Sequence, residues 1–339
     1  MKKILVVRFS SIGDIVLTTP VVRCLKNQIP GCEIHFFTKP EYKEILENNP
    51  YVSKVFYLET YLSESIQELK KENYDLIIDL HHNLRSFITK FRLGKKSFSF
   101  RKLNFEKWLL VNLKLNRMPG LHIVDRYFET VRTMGVVNDE EGLDYFIPEK
   151  DIVAVSGLGL EPLSYIVFAI GGKFATKKLP AEKIAAICDQ IGAPVILSGG
   201  KDDAAQGEKI VSLSKGKVMN ACGKFSLNQS ASLVAQSRLL ITHDTGLMHI
   251  GAALKKEIIS IWGNTIPEFG MSPYFSKNDS RKVSDTRFEI KYLACRPCSK
   301  LGFAKCPRGH FKCMNEMEAL KIAAVVNEKL KKSKYSKNL

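Results

Sequence analysis

Short runs of β-branched and aliphatic residues alternate along the chain with longer segments in which apolar positions recur every third or fourth residue. Residues 4–7 (ILVV), 33–37 (EIHFF), 54–58 (KVFYL) and 75–80 (DLIIDL) read as buried strands with helical patterns between them. After the first strand, Ile15, Val16, Leu17, Val21, Val22 and Leu25 keep helical spacing, with Pro20 bending or delaying the helix. From about 90 to 130 the rhythm weakens into basic, aromatic-containing helix and loops. VVNDEEGLDYFIPEKD, 136 to 151, gathers acids, glycine and proline and predicts a linker. The alternation then resumes with YIVFAIG (165–171), PVILSGG (194–200), RLLITHD (238–244) and EIISIWG (257–263). Such a pattern builds parallel βαβ units, so the expected fold class is α/β, two doubly wound domains over 1–148 and 152–325. A basic tail, 326–339, follows, and its stretch KLKKSKYSKNL is expected to fray.

Composition narrows the class. A chain of 339 residues is long for one core, and 45% apolar with 25% charged residues is ordinary for a soluble globular protein. No run of about 18 uncharged apolar residues is present to span a bilayer. MKKILVV imitates the start of a signal peptide, but Arg8 and Asp14 break the apolar stretch too early, and a cytoplasmic protein is expected.

Charge changes the picture more. Lys and Arg outnumber Asp and Glu by 51 to 35, giving +16, and between Arg85 and Arg117 ten basic residues face one acid, Glu106. That field suits a polyanion: nucleic acid, an anionic lipid surface or a phosphorylated substrate. A solvated basic face serving solubility is the plainer alternative.

Two stretches carry candidate chemistry. In SSIGDIVLTTP (10–20), Asp14 stands at a helix start just beyond a strand, where ligands of doubly wound sheets bind. THDTGLMHIGAAL (242–254) places Asp244, Thr245 and Gly246 in a tight turn before a small-residue helix. Such a helix start is an anion site or an ordinary Asp/Thr cap. Neither G-x-G-x-x-G after the first strand nor G-x-x-x-x-G-K-S/T is present, which argues against a standard NAD enzyme and a P-loop ATPase. Of eight cysteines, Cys24, Cys32, Cys188 and Cys222 read as small buried hydrophobes. Cys295, Cys298, Cys306, His310 and Cys313 cluster near the end, as a structural zinc or iron–sulfur site, a redox-sensitive pair or packed thiols.

SSIGDIVLTTP, DLHHNLRS (79–86), GGKFATKKLP (171–180), HDTGLMHIGAA (243–253) and CRPCSKLGFAKCPRGHFKCM (295–314) together resemble glycosyltransferase family 9, the ADP-heptose:lipopolysaccharide heptosyltransferases. The likeness runs in order from residue 1 to about 330. It implies a GT-B fold: two Rossmann-like doubly wound domains facing across a cleft, acceptor on the first and nucleotide-sugar on the second. The implied reaction is inverting transfer of heptose from ADP-heptose to the lipopolysaccharide inner core (a lipid A–Kdo or heptosyl acceptor), with no cofactor required for catalysis. Asp14 matches the base, with Ser10, Ser11 and Gly13 in its loop. Lys177 matches a lysine on the donor diphosphate; Asp244, Thr245, Gly246 and Leu247 match the donor turn, and His249 lies on its helix. The acid for the ribose falls on Asp202, with Asp203 as the alternative; His81 and Arg85 are candidates for the acceptor. Leu179 stands where the family commonly has Trp, a change expected to reshape the pocket near the donor.

The implied partners are ADP-heptose, a lipid A-based core acceptor and the anionic inner face of the cytoplasmic membrane, with peripheral association. Trp108, Leu109, Leu110 and Val111 fit the core better than the headgroup layer. A family member using another nucleotide-sugar or acceptor is one alternative. A nucleic-acid-binding protein with a Cys/His metal cluster is another, but aromatics are not interleaved with the basic residues as stacking platforms, so no nucleic acid is expected.

Overall fold

A computed structural model describes residues 2–335. The first sheet comprises β1 (Lys3–Val7), β2 (Glu33–Thr38), β3 (Lys54–Tyr57), β4 (Leu76–Asp79) and β5 (Ser97–Ser99), in the order β3-β2-β1-β4-β5. The second comprises β6 (Ile166–Ala169), β7 (Val195–Ser198), β8 (Val218–Asn220), β9 (Leu240–His243), β10 (Ile258–Trp262) and β11 (Asp285–Glu289), in the order β11-β10-β9-β6-β7-β8. Every pairing is parallel. Central strands such as KILVV and IISIW are apolar on both faces because helices cover both.

Helices α1 (Ile12–Val16), α2 (Thr19–Gln28), α3 (Lys43–Leu46), α4 (Leu62–Lys71), α5 (Leu84–Leu93), α6 (Asn104–Trp108) and α7 (Ile123–Phe128) accompany the first sheet. The break between α1 and α2 falls just ahead of Pro20, which starts α2 where its missing N–H costs nothing. Around the second sheet lie α8 (Ala181–Asp189), α9 (Ala204–Leu213), α10 (Leu227–Gln236), α11 (Gly246–Ala253), α12 (Lys312–Asn315) and α13 (Ala319–Tyr335).

All eight expected strands form. The three that the pattern missed, β5, β8 and β11, are sheet edges, short and half-exposed, with burial too uneven to leave a hydrophobic run. The connecting segment 136–151 carries no regular structure beyond one 3-10 turn, yet it is not slack. Buried Arg23 of α2 donates to Asp139 and to the Gly142 carbonyl and pairs with Asp144, while Leu143 and Tyr145 are buried. The expected tail needs correction: the chain stays helical through Tyr335, because Ile322, Ala323 and Val326 pack into the second core. The last four residues, 336–339, lie outside the described residues.

α1 packs against α11 and α3 against α10, so the carboxyl ends of the two sheets face one another.

Candidate active site

The first half contributes Asp14. Its Oδ2 accepts from the Ser11 amide (3.1 Å) and hydroxyl (2.7 Å), capping α1 from inside its own first turn. Its Oδ1 lies 2.6 Å from Arg8 Nη2. Burial opposes ionisation, but the Arg8 guanidinium and the Ser11 donors outweigh it and hold the carboxyl below its ordinary value. The side chain stays 20% exposed, which leaves lone pairs open to an incoming hydroxyl. Arg8 is fixed in turn by Ser10 O (2.8 Å), Leu80 O (2.5 Å) and Tyr127 Oη (3.0 Å).

The second half meets it at α1 itself. A Cβ built on Gly13 would lie 2.5 Å from His249 Cδ2 and 3.3 Å from Gly246 Cα; one on Gly246 would lie 2.7 Å from Ile12 Cγ2. Two glycines thus let the helix carrying Asp14 touch the start of α11. Thr245, the N-cap, makes no side-chain cap bond, so the first-turn amides of α11 have no side-chain acceptor. His249 lies beneath this contact, 2% exposed; burial pushes its imidazole down to about 4, and Nδ1 has no partner among the described residues. It sits between the two helices, within electrostatic reach of Asp244, Asp14 and Lys177. Leu247 packs against the core shared by both halves.

Lys177 Nζ sits 2.5 Å from Asp244 Oδ2, which also accepts from Thr265 Oγ1 at 2.9 Å. Asp202 is exposed on the turn after β7. Its neighbour Asp203 turns inward, 3.0 Å from Lys178 Nζ, and crowds Gly171 and Gly199. Lys178 in turn borders Gly172 beside Thr245. Two lysines, a helix start and two strand-end glycine pairs therefore line one edge. Leu179 does not: it is 1% exposed in the core, its amide donating to His243 Nε2 at 3.0 Å.

Cations gather near Asp14. His81 stacks edge-on against Phe9, and burial with the nearby Arg8 and Lys102 pushes it down to about 4. Arg85 is exposed one turn away and lines a hollow of about 260 Å3 with Lys39, Leu58 and Thr60. Burial and then Arg126 push Lys107 down to about 8, with Asp14 opposing. Arg126 is 5% exposed, and its Nε and Nη1 have no partner among the described residues. From the second half Lys300 reaches across to Asn104 Oδ1 (3.4 Å). Cations without an acidic partner gathered in one place suit an anionic ligand. Arg8, Lys102, Lys107 and Arg126 escaped sequence reasoning individually, although Lys102 and Lys107 lie in the basic stretch already singled out.

The cysteine cluster requires a correction. Among the described residues no group of three or more His, Cys, Asp or Glu side chains is placed to hold a metal ion, so the structural zinc reading loses its support. Cys295 Sγ is 3.7 Å from His310 Nε2, but Cys313 is buried in the apolar core, where burial pushes its thiol up to about 12. The segment is held instead by Arg296, which donates to Gly263 O (2.5 Å) and Thr265 O (2.9 Å) and pairs with Glu289 (2.7 Å). That anchor ties it to the end of β10, behind Asp244.

Residues 63–289 match the model of Glycosyltransferase family 9 (heptosyltransferase). The chain is 26% identical over 303 residues to Lipooligosaccharide heptosyltransferase 2 of Haemophilus influenzae, covering 78% of this chain and 84% of that one. Among solved structures, the family 9 glycosyl transferase of Veillonella parvula superposes with a TM-score of 0.78 at 23% identity, covering 98% of each chain. The ADP-heptose lps heptosyltransferase II of E. coli superposes with a TM-score of 0.75 at 19% identity, covering 98% of this chain and 100% of that one. The paired sheets are accordingly a GT-B fold.

Proposed function

The chain belongs to glycosyltransferase family 9 and is a glycosyltransferase; we propose that it transfers heptose from ADP-heptose to the lipopolysaccharide inner core, with inversion at the anomeric carbon. The observation that carries this reading is the contact of α1 with α11, which sets a lone carboxylate beside an anion-receptive helix start. Asp14 takes the proton of an acceptor hydroxyl. The acceptor oxygen forms a bond to the anomeric carbon as the bond from that carbon to the diphosphate oxygen breaks, and the electron pair leaves with ADP. Negative charge then grows on the diphosphate, where Lys177, Lys178 and the first amides of α11 stabilise it. Lys177 gives up part of its pairing with Asp244 in doing so, and Asp244 turns to a sugar hydroxyl.

The cation group of Lys102, Lys107, Arg126 and Lys300 supports an acceptor bearing phosphate or carboxylate. A lipid-borne acceptor places the enzyme at the cytoplasmic face of the membrane, associated peripherally; no helix among the described residues is long and apolar enough to cross it. The test is a thermal-shift series with ADP, UDP, GDP and their sugar conjugates, followed by transfer to a heptose-free core acceptor. Selective stabilisation by ADP and ADP-heptose is expected, because a ligand that binds only the folded state raises its apparent stability. Selective response to UDP or GDP would reject the donor assignment.

A further inference from the structure

Helix α5 is built inside out. Its buried positions are Ser86 and Thr89, while Leu84, Phe87 and Phe91 stand 73%, 58% and 77% exposed. An amphipathic helix of a water-soluble domain turns its apolar stripe to the core, so this stripe is kept outward for another phase. Past edge strand β5 in the chain, α6 does the same: Phe105 is 68% and Trp108 52% exposed, their rings stacked 6.5 Å apart. Leu110 alone of the 108–111 run is fully buried, against Ile266 and Phe269, which corrects the expectation that Trp108 belongs to the core. Leu113 and Leu115 continue the exposed series. Of seventeen exposed large hydrophobic residues among those described, eight lie between Leu84 and Leu121.

The same segment carries the basic excess. Arg92, Lys95, Lys96 and Arg117 have no acidic partner among the described residues, and Arg92, Lys95 and Lys96 follow Phe91 directly at the end of α5. Exposed aromatic side chains ringed by unpaired cations match one surface chemically: an apolar interior beneath anionic headgroups. A second copy of a +16 chain would oppose cation with cation. A nucleic acid would leave the aliphatic Leu84, Leu113 and Leu115 in water.

We propose that α5, β5 and α6 form a membrane-docking face that inserts Phe87, Phe91, Phe105 and Trp108 among anionic lipid headgroups. α5 begins beyond the carboxyl end of β4, beside β1, and α6 follows β5, so Leu84, Phe87 and α6 adjoin the edge of the sheet that holds Asp14, while Phe91, Arg92, Lys95 and Lys96 lie towards the amino ends of the strands. Docking there brings the cleft to the bilayer surface. The proposal rests on the reading that the acceptor is lipid-borne, but vesicle binding itself is read out without donor or acceptor.

The test is sedimentation of the full chain with vesicles of phosphatidylcholine alone or mixed with phosphatidylglycerol. Binding to the anionic vesicles only is expected. Phe87→Ser with Phe91→Ser should weaken it about tenfold or more. Lys95→Gln with Lys96→Gln should weaken it about 25-fold, roughly fivefold per charge. Both variants should keep wild-type transfer to a soluble acceptor analogue, which separates docking from catalysis. Equal binding to neutral and anionic vesicles, wild-type binding by either variant, or displacement of the chain from vesicles by RNA would overturn the proposal. Loss of transfer to the soluble analogue in both variants would likewise overturn it, since the face would then serve the reaction itself.

Discussion

Gly13→Ala adds one methyl group at the contact between α1 and α11. The new Cβ would lie 2.5 Å from His249 Cδ2, and 3.3 Å from both His249 Nε2 and Gly246 Cα. Carbon atoms pack best at about 3.5–4.0 Å, so roughly 1 Å must be found. His249 is 2% exposed and enclosed by the core, and Gly246 is backbone; neither is the free end of a flexible side chain. The yielding element is α1, which must back away from α11 and take Asp14 with it. Overpacking of this kind costs about 1–3 kcal/mol of stability. A displacement of about 1 Å at the reacting groups costs about 100-fold in rate.

Initial-rate transfer and urea denaturation together separate the two effects. The expected result is a folded protein with kcat lowered about 100-fold and donor affinity little changed, since Lys177 and Asp244 do not move. Gly157→Ala, where nothing lies within 4 Å, is the control and should behave as wild type. In a His249→Ala background the Gly13→Ala penalty should shrink, because the imidazole that blocks the methyl is gone. A folded Gly13→Ala enzyme with kcat within about threefold of wild type would refute the reasoning: the α1–α11 contact would then not be the geometry in which transfer occurs.

Asp14→Asn should lower kcat by about two orders of magnitude and leave ADP binding nearly unchanged, as measured by turnover and calorimetry. Because the Asp14 carboxyl is held below its ordinary 3.8, it stays charged as pH falls towards 4, and wild-type kcat should show no acid limb from this group above that pH. Lys177→Ala should weaken donor binding and turnover together, roughly 10- to 100-fold, by loss of a charge-assisted contact; unchanged values for both would remove it from the diphosphate site. Lys107, pushed down to about 8, is cationic below that pH and neutral above it, so KM for an anionic acceptor should rise as pH passes 8. Lys107→Arg should abolish that rise, which steady-state kinetics on a soluble acceptor would detect.

What the sequence conveyed follows from where apolar runs are forced. Strands buried on both faces must be apolar at nearly every position, so ILVV, LIID and IISIW were legible. SFS, VMN and DTRFE, at the sheet edges, face solvent in part and left no such run. Asp14 was legible because its strand–turn–helix position is local. Its partner Arg8 was not, since the pairing arises only once the chain reverses after β1 and Tyr127 closes over the guanidinium. The cation group has the same cause: Arg8, Lys107, Arg126 and Lys300 converge from both halves of the chain. The cysteines misled for another reason: Cys295, Cys298, Cys306 and Cys313 come near one another, but among the described residues no three such groups are placed to hold a metal ion.

The catalytic acid and the two donor-side lysines each have a counter-ion on their own side of the cleft. Asp14 has Arg8; Lys177 has Asp244; Lys178 has Asp203. The contact that joins the two sides at the same place is made instead by glycines, Ile12 and a neutral, buried histidine. An ion pair across this junction would lock the halves through a desolvated charge that substrate would have to break. A close-packed apolar junction opens without stranding any charge, because each ion leaves with its partner. The arrangement therefore permits the halves to part for a large lipid-borne acceptor and to close again with Asp14, Lys177 and Lys178 still paired, leaving the cation group of Lys102, Lys107, Arg126 and Lys300 for the acceptor's own charge. At this contact positioning is set by close packing, and it is for that reason that one methyl group on Gly13 should matter more to turnover than to folding.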